Sequence, residues 1–204
     1  MTHENYPGQN TVAYGADLGE EALVQAFEES ADPGVKLYSI AFMGKMKDLK
    51  FLPFFVKALH DNDKRVRLQA TTAFAALGEP AVPELLILLL DDDWKVRYRA
   101  AEALGMIKSH YAIIPLIKAL DDQKDHVRYM AAKALGETGD RCATEPLIRR
   151  LKDGNEYVRR IAVISLKKTG GDAGIEAIRC ALEDETSEQV RNAMKDALRE
   201  GKNA

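Results

Sequence analysis

The 204-residue sequence is poor in the residue types that build disulfide scaffolds, metal centres and membrane anchors. Its 2 cysteines, Cys142 and Cys180, are too few and too far apart for a disulfide framework or a CxxC metal motif. The histidines form no HxxxH or HExxH pair. The longest apolar run is the hexapeptide Leu85–Leu90, whereas a membrane-spanning helix needs about 20 residues. We therefore predict no metal site, no cofactor and no membrane partner.

The sequence also lacks an excess of charge of one sign. The 29 Lys and Arg residues face 32 Asp and Glu residues, which gives a net charge of −3. Coating a nucleic acid requires a basic field, so nucleic-acid binding is disfavoured. The N-terminal residues show no cationic start followed by an apolar core, so no signal peptide is predicted and we expect a cytoplasmic protein.

What the sequence does contain is a repeat. A valine followed by a basic residue occurs at positions 35, 66, 96, 127, 158 and 190, with intervals of 31, 30, 31, 31 and 32 residues. The segment VRYRAAEALG at 96–105 returns as VRYMAAKALG at 127–136. A fixed period of this length predicts a solenoid.

Each unit has the pattern of two helices. A proline such as Pro115 lies near the start of the first helix, and a polar turn precedes the second, which begins near the Val-Arg pair. These features predict an all-α, right-handed solenoid of about six two-helix repeats, as one domain over 17–204 after a polar tail at 1–16. The predicted repeats are 17–50, 51–81, 82–112, 113–143, 144–174 and 175–204.

The pattern LxDxxxxVRxxAAxALGxxG…PLIxAL resembles HEAT repeats, in the short form of about 31 residues found in phycobilisome-lyase-like proteins. The resemblance covers roughly residues 20–200. It implies a solenoid, and it leaves function open because the family includes scaffolds, chromophore-handling proteins and some enzymes.

Acidic and basic residues recur together in the turns. Four Asp/Arg pairs are six residues apart and a fifth is seven apart, so we predict a structural ladder in which the turn carboxylate binds the arginine of its repeat. The resemblance to HEAT repeats supports a role in holding the repeats in register. The predicted pairs are Asp61/Arg67, Asp91/Arg97, Asp122/Arg128, Asp153/Arg159 and Asp184/Arg191.

In HEAT-like solenoids the second helices line the concave surface, and carrying this over predicts a partner-binding ridge near the Val-Arg pairs. Aromatic and arginine side chains, which are enriched at binding hot spots, gather there. The alternative is that the tyrosines and isoleucine pack between repeats. The predicted ridge consists of Tyr38, Arg65, Gln69, Trp94, Tyr98, Arg99, His126, Tyr129, Met130, Tyr157, Arg160 and Ile161.

The third repeat also has apolar residues where its neighbours are charged. Ile87 stands where neighbouring repeats have Lys57, Lys118 and Arg149. Leu90 likewise replaces polar residues. The pair predicts an oligomer contact, against the alternative of harmless local exposure, so monomer and homodimer both remain open.

These observations favour a non-catalytic scaffold that binds a protein or peptide partner on its concave face. The first alternative is a phycobilin-lyase-like protein that handles a chromophore or another tetrapyrrole, which the family resemblance allows. The second is a DNA-repair type of HEAT protein, which the overall charge opposes. A third alternative fails: deoxyhypusine hydroxylase is also a HEAT-repeat protein, but its paired His-Glu metal motifs are missing from this sequence.

Overall fold

The structure, a computed structural model, describes residues 19–200. The predicted tail at 1–16 lies outside the described residues. Over that range the chain forms twelve α-helices, several preceded by a single 3-10 turn, and contains no strand. The helices are α1 Glu20–Glu29, α2 Pro33–Met46, α3 Leu52–Leu59, α4 Lys64–Leu77, α5 Val82–Leu88, α6 Trp94–Ile107, α7 Ile113–Ala119, α8 Asp125–Thr138, α9 Thr144–Arg150, α10 Glu156–Thr169, α11 Gly171–Asp184 and α12 Glu188–Glu200.

Consecutive helices pair into six repeats, from α1 with α2 to α11 with α12. The second helices also stack on one another, from α2 on α4 to α10 on α12, and the first helices pack outside this row. We call the two sides of the stack the second-helix face and the first-helix face. The prediction of an all-α solenoid built from six two-helix repeats is confirmed.

Polar residues in the turns set where the second helices begin. The side chains of Asp63, Asp93 and Asn155 each accept a hydrogen bond from the backbone amide two residues later. Such caps satisfy amides that have no partner within the helix. Because α8 has no side-chain cap, Asp125 in its first turn supplies the negative charge that complements the positive helix end.

The recurring apolar residues form one continuous core along the stack. The recurrent valines at 66, 96, 127, 158 and 190 are completely buried. The stack tightens where glycine replaces a larger residue. A Cβ added to Gly44 would lie 2.9 Å from the Ala73 Cβ, and one added to Gly105 would lie 2.8 Å from the Ala134 Cβ. Neighbouring second helices therefore approach backbone to backbone at these points.

Between residues 19 and 200, no single helix has the length and apolar character of a membrane span. One pair, Lys64–Leu77 with Glu79–Leu88, meets that criterion by length and composition only when taken together, and it is bent by 119°.

Candidate partner-binding site on the second-helix face

Aromatic side chains from three consecutive repeats meet near the N-terminal ends of α6, α8 and α10. Tyr98, His126, Tyr129 and Tyr157 line a pocket of about 250 Å³. The period of the repeat explains the convergence, since Tyr98 and Tyr129 each follow a recurrent valine by two residues, and His126 and Tyr157 each precede one directly. We call Trp94, Tyr98, His126, Tyr129 and Tyr157 the aromatic cluster.

Trp94 joins this pocket to a second depression. Its ring lies 5.0 Å from that of His126, centroid to centroid, and is tilted by 47°. On its other side Trp94 lines a groove of about 740 Å³ between the third and fourth repeats. Leu86, Leu89 and Leu90 are among the apolar residues that line this groove. The aromatic cluster therefore runs from the second-helix face to the turn edge of the solenoid.

The carboxylate of Asp125, which is hydrogen-bonded through both of its oxygens, also lines the pocket. Asp125 Oδ1 is 2.8 Å from both Nδ1 and the backbone amide of His126, and Asn155 Nδ2 donates to Asp125 Oδ2. Asn155 is held in turn, because its Oδ1 accepts from the Tyr157 amide at 2.8 Å. The bond from the His126 ring lowers the pKa of Asp125, so the pocket keeps one ionised carboxylate at neutral pH.

Tyr98 stands between an aromatic and a charged environment. Burial, followed by the charge of Glu102, raises the pKa of its hydroxyl, which stays neutral at physiological pH. The Arg99 guanidinium carbon lies 5.3 Å from the centroid of the Tyr98 ring, and Arg99 Nη1 bonds Glu102. Arg99 is therefore neutralised within its own helix.

Two residues of the predicted ridge do not reach the surface. Met130 is 3 % exposed and Ile161 is 7 % exposed, so their prediction as binding residues is wrong. Each lies three residues after its recurrent valine, and this position points into the packing between second helices. The alternative of packing between repeats, which was weighed for Ile161, therefore applies to that residue, and Met130 packs in the same way.

The remaining ridge residues lie on the second-helix face outside the pocket. Tyr38 is 52 % exposed on α2, Gln69 is half-buried on α4, and Arg160 is exposed on α10. Arg65 bonds Asp63 at 2.7 Å. Because Arg65 and Arg99 both have acidic partners, this face carries less uncompensated positive charge than its sequence indicates.

Sequence reasoning missed two polar residues of the pocket, Asp125 and Asn155. Asn155 caps α10 and Asp125 lies in the first turn of α8, and amide and acidic residues are typical of these positions at a helix start. The sequence therefore indicates a structural role for both residues and does not reveal that they also line the aromatic pocket. Only the spacing of 30 residues between them, close to one repeat, could have indicated that they meet.

The ladder exists, but its predicted pairing is wrong. Arg128 Nη1 bonds the backbone carbonyl of Asp122 in its own repeat at 2.9 Å, while its Nε and Nη2 each bond the carboxylate of Asp153 in the next repeat at 2.8 Å. The predicted partners within a repeat therefore meet through the carbonyl, and the carboxylate serves the preceding repeat. The bridges between repeats are Lys36–Asp61, Arg97–Asp122, Arg128–Asp153 and Arg159–Glu185.

The last acidic member of the ladder is Glu185 rather than the predicted Asp184. Glu185 lies five residues before Val190, which is the offset of Asp153 from Val158. Arg159 forks onto the Glu185 carboxylate at 2.7 and 2.8 Å, and the Arg191 guanidinium bonds the Glu185 carbonyl at 2.9 Å. Counting back from the valine, rather than looking for aspartate alone, would have identified this residue.

The bridges between repeats shift the ionisation of the groups that they join. Burial raises the pKa of Asp153. The bonds from Arg128 and from the Asn155 amide lower it by more, so the net pKa is below its ordinary value. The Arg159 bond lowers the pKa of Glu185 in the same way. These carboxylates therefore hold the stack together in their ionised form.

The oligomer contact predicted from the sequence lies on the first-helix face. Ile87 is 66 % exposed and Leu90 is 83 % exposed. Leu90 also lines the 740 Å³ groove beside Trp94.

Within residues 19–200, no group of three or more His, Cys, Asp or Glu side chains is placed to hold a metal ion.

These features define a helical repeat protein with an aromatic surface cluster spread over three repeats. The sequence pattern of HEAT repeats matches residues 20–105, 65–128, 82–165 and 113–199. These overlapping matches cover most of the chain, which therefore belongs to the HEAT-repeat family. A comparison with curated proteins found no match.

Solved structures with the same fold come from different classes of protein. The complex of CpcE and CpcF of phycocyanin lyase from Nostoc sp. PCC7120 is 24 % identical, with a TM-score of 0.68, over 74 % of this chain and 99 % of that one. A designed armadillo repeat protein in complex with the peptide (KR)4 is 21 % identical, with a TM-score of 0.54, over 87 % and 97 %. Human deoxyhypusine hydroxylase is 21 % identical, with a TM-score of 0.53, over 93 % and 86 %. At these identities the likeness shows the shared fold.

Proposed function

We propose that the protein is a non-catalytic scaffold that binds a protein or peptide segment on the second-helix face of its third to fifth repeats. The observation that carries this proposal is the aromatic cluster, in which four rings from three repeats enclose one pocket of about 250 Å³. That volume is below the 300–1,000 Å³ typical of small-molecule sites. It suits one side chain of a longer ligand.

The composition of the pocket supports recognition of a protein partner. Tyrosine and tryptophan combine a large apolar area with a polar tip and lose little side-chain entropy on binding. Tyr157 is 56 % exposed, so it offers contact area that folding has not used. The polar pair Asp125 and Asn155 can orient a ligand, because their mutual hydrogen bond fixes both side chains.

The proposal is tested with the double variant Trp94→Ala and Tyr157→Ala. Proteins captured from the native cell by the full chain are identified, and the affinity of each for wild type and variant is then measured. We expect the double variant to bind a genuine partner at least about tenfold more weakly, since exposed aromatic anchors carry much of the binding energy.

The control is Leu49→Ala, which removes an exposed apolar side chain, 49 % exposed, that lies outside the pocket. This variant should retain the wild-type affinity. Circular dichroism should show the same helix content in all three proteins, because Trp94 and Tyr157 lie outside the buried core. Full affinity in the double variant would show that the aromatic cluster is not the binding site.

A second candidate function is the handling of a tetrapyrrole, which the fold shared with the phycocyanin lyase complex brings into consideration. The groove beside Trp94 favours it, because a volume of about 740 Å³ lies within the range of small-molecule sites. Leu86 and Leu90 offer apolar contacts there, and Lys118 and Lys124 could pair with the carboxylates of a bilin.

Phycocyanobilin tests this alternative directly. Binding in the groove should shift the visible absorbance of the bilin and quench the fluorescence of Trp94, the single tryptophan of the chain. Leu90→Glu should abolish both signals, while Leu68→Glu, on α4, should preserve them. Unchanged absorbance on mixing would count against a chromophore-handling role.

A further inference from the structure

The pocket of the aromatic cluster combines rings with a carboxylate. Six residues line it, four of them carry rings, one is acidic, and none is lysine or arginine. They are Tyr98, Asp125, His126, Tyr129, Asn155 and Tyr157. Aromatic rings have a negative face that attracts a cation within about 6 Å of the ring centroid. The rings and the carboxylate therefore both favour a positively charged ligand.

The carboxylate of Asp125 has room for a further hydrogen bond. A carboxylate offers about four acceptor positions, two on each oxygen. Asp125 Oδ1 faces two donors, the ring Nδ1 and the backbone amide of His126, whereas Oδ2 receives one hydrogen bond, from Asn155 Nδ2. The Asp125 side chain is 37 % exposed, so a ligand can still reach it. One acceptor position on Oδ2 is therefore open to a ligand.

The charge of Asp125 selects among the possible occupants. The bond from the His126 ring lowers the pKa of Asp125, so the carboxylate is ionised at neutral pH. An apolar side chain would remove water from this charge without replacing the lost hydrogen bonds, which is unfavourable. An anionic group would be repelled. A cationic donor instead forms a charge-assisted hydrogen bond, which is stronger than one between neutral groups.

The protein itself already places a cation near one ring of the cluster. The guanidinium carbon of Arg99 lies 5.3 Å from the centroid of the Tyr98 ring. Arg99 does not line the pocket, and its charge is balanced by the carboxylate of Glu102. The pocket is therefore left to a cation that comes from a ligand.

The free acceptor position favours lysine over arginine. Arginine binds a carboxylate best through two parallel N–H bonds, one to each oxygen. Asp125 Oδ1 is already engaged by the two donors of His126, so that arrangement is blocked. Lysine carries its charge on a compact group at the end of a flexible stem, and it needs only one oxygen of the carboxylate.

We propose that the aromatic cluster binds the ammonium group of a lysine side chain in the partner segment. The ammonium lies among the rings of Tyr98, Tyr129 and Tyr157 and donates one N–H to Asp125 Oδ2. This inference rests on the proposed function, because it names the side chain of the partner that the pocket takes.

Two blocked pentapeptides test the proposal: one has a central lysine flanked by glycines, and the other has norleucine in its place. Norleucine keeps the carbon stem and lacks the ammonium group. NMR titration of the full chain should move the ε-methylene protons of the lysine upfield, because they enter the ring currents of the cluster. At low salt the norleucine peptide should bind at least about tenfold more weakly. Added salt should weaken only the lysine peptide.

Variants of the pocket test the two contacts separately. Asp125→Asn should weaken the lysine peptide about fivefold and leave the norleucine peptide unchanged. Asp172→Asn is the matched control, since Asp172 is exposed on α11 and lies outside the pocket. Tyr157→Leu keeps an apolar side chain but loses the ring and should weaken the lysine peptide about fivefold, whereas Tyr157→Phe should bind within about twofold of wild type. Circular dichroism should show equal helix content in all variants.

Three results overturn the proposal. They are equal affinity for the two peptides, no upfield shift of the lysine protons up to tens of millimolar peptide, and an Asp125→Asn variant that binds the lysine peptide as tightly as wild type. The proposed function is judged by a different measurement, the affinity of the Trp94→Ala and Tyr157→Ala double variant for a captured partner. Loss of that affinity together with equal binding of the two peptides would keep the scaffold role and reject lysine as the recognised side chain.

Discussion

Two junctions of the stack are built differently although the repeats that form them are similar in sequence. Between the fourth and fifth repeats, Gly136 lets α8 approach α10 so closely that an added Cβ would lie 2.8 Å from the Ser165 Cβ. At the same junction Arg128 forks onto Asp153. Between the second and third repeats, Ala75 stands at the position of Gly136, and no hydrogen bond or ion pair joins Arg67 to Asp91.

At that second junction the donors and acceptors have other partners. Arg67 bonds the carbonyls of Asp61 and Asn62 in its own repeat, at 2.7 and 2.8 Å. Asp91 is bonded instead by the ring of His60, at 3.0 Å. We interpret the alanine as the cause, because its methyl group keeps α4 and α6 from the closest approach and leaves Asp91 beyond the reach of Arg67.

The comparison shows that the spacing and register of the second helices depend on two structural devices that act together, the glycine contact and the Arg–Asp fork. The third to fifth repeats, which carry the aromatic cluster, are joined at both of their junctions by a glycine contact and an Arg–Asp fork. A binding surface made of side chains from three repeats needs fixed relative positions, since flexibility would add to the entropic cost of binding. The first two repeats are attached through the junction that lacks both devices.

The largest predicted effect is on the close approach at the fourth junction. Gly136→Val should lower the free energy of unfolding by about 3 kcal/mol, because its side chain would overlap Ser165 and force α8 from α10. Ala75→Val, at the equivalent position of the second junction, should cost about 1 kcal/mol or less, mainly through helix propensity. Urea denaturation followed by circular dichroism measures both. Equal losses would contradict the interpretation of Ala75 as the residue that widens its junction.

A smaller difference is expected between two arginines of the ladder. Arg128→Leu leaves the Asp153 carboxylate, only 3 % exposed, without its fork and should cost about 3 kcal/mol. Arg67→Leu removes two bonds to carbonyls and should cost about 1 kcal/mol, since Asp91 keeps His60. Denaturation midpoints of the two variants test the ranking, and an Arg67→Leu variant as unstable as Arg128→Leu would show that Arg67 also bridges repeats.

The repeat period of the sequence made the fold predictable. It did not predict which side chains bond to each other between neighbouring repeats. Recurrence of the Val-Arg pair determines the repeats and the buried valines, because each copy reports the same local structure. It cannot tell whether Arg128 binds the aspartate before it or the one in the next repeat, since both lie at fixed offsets. The structure resolves this, because the guanidinium reaches the carbonyl and the next carboxylate together.

The same reasoning explains the partial success at the candidate site. Aromatic residues at equivalent positions, such as Tyr98 and Tyr129, were placed on one surface correctly by phase alone. Met130 was misplaced because one residue along a helix turns the side chain by about 100°, enough to move it from the surface into the core.

The smallest predicted effect separates the two junctions by pH. Burial lowers the pKa of His60. The bonds to the Val56 carbonyl and to Asp91 raise it by more, so the net pKa is above its ordinary value of 6.5. A raised pKa stabilises the fold below 6.5, and this stabilisation is lost as the pH rises through the folded pKa. At Asp153 the net pKa is below 3.8, so its contribution is present above that value and is lost only as the pH falls through the folded pKa.

Hydrogen exchange, corrected for intrinsic rates, should therefore show weaker protection between α4 and α6 at about pH 8 than at about pH 6, with no change between α8 and α10. The difference should be small, because the His60 side chain is 44 % exposed, and it should vanish in His60→Gln. A pH response that persists in His60→Gln would assign it to another group.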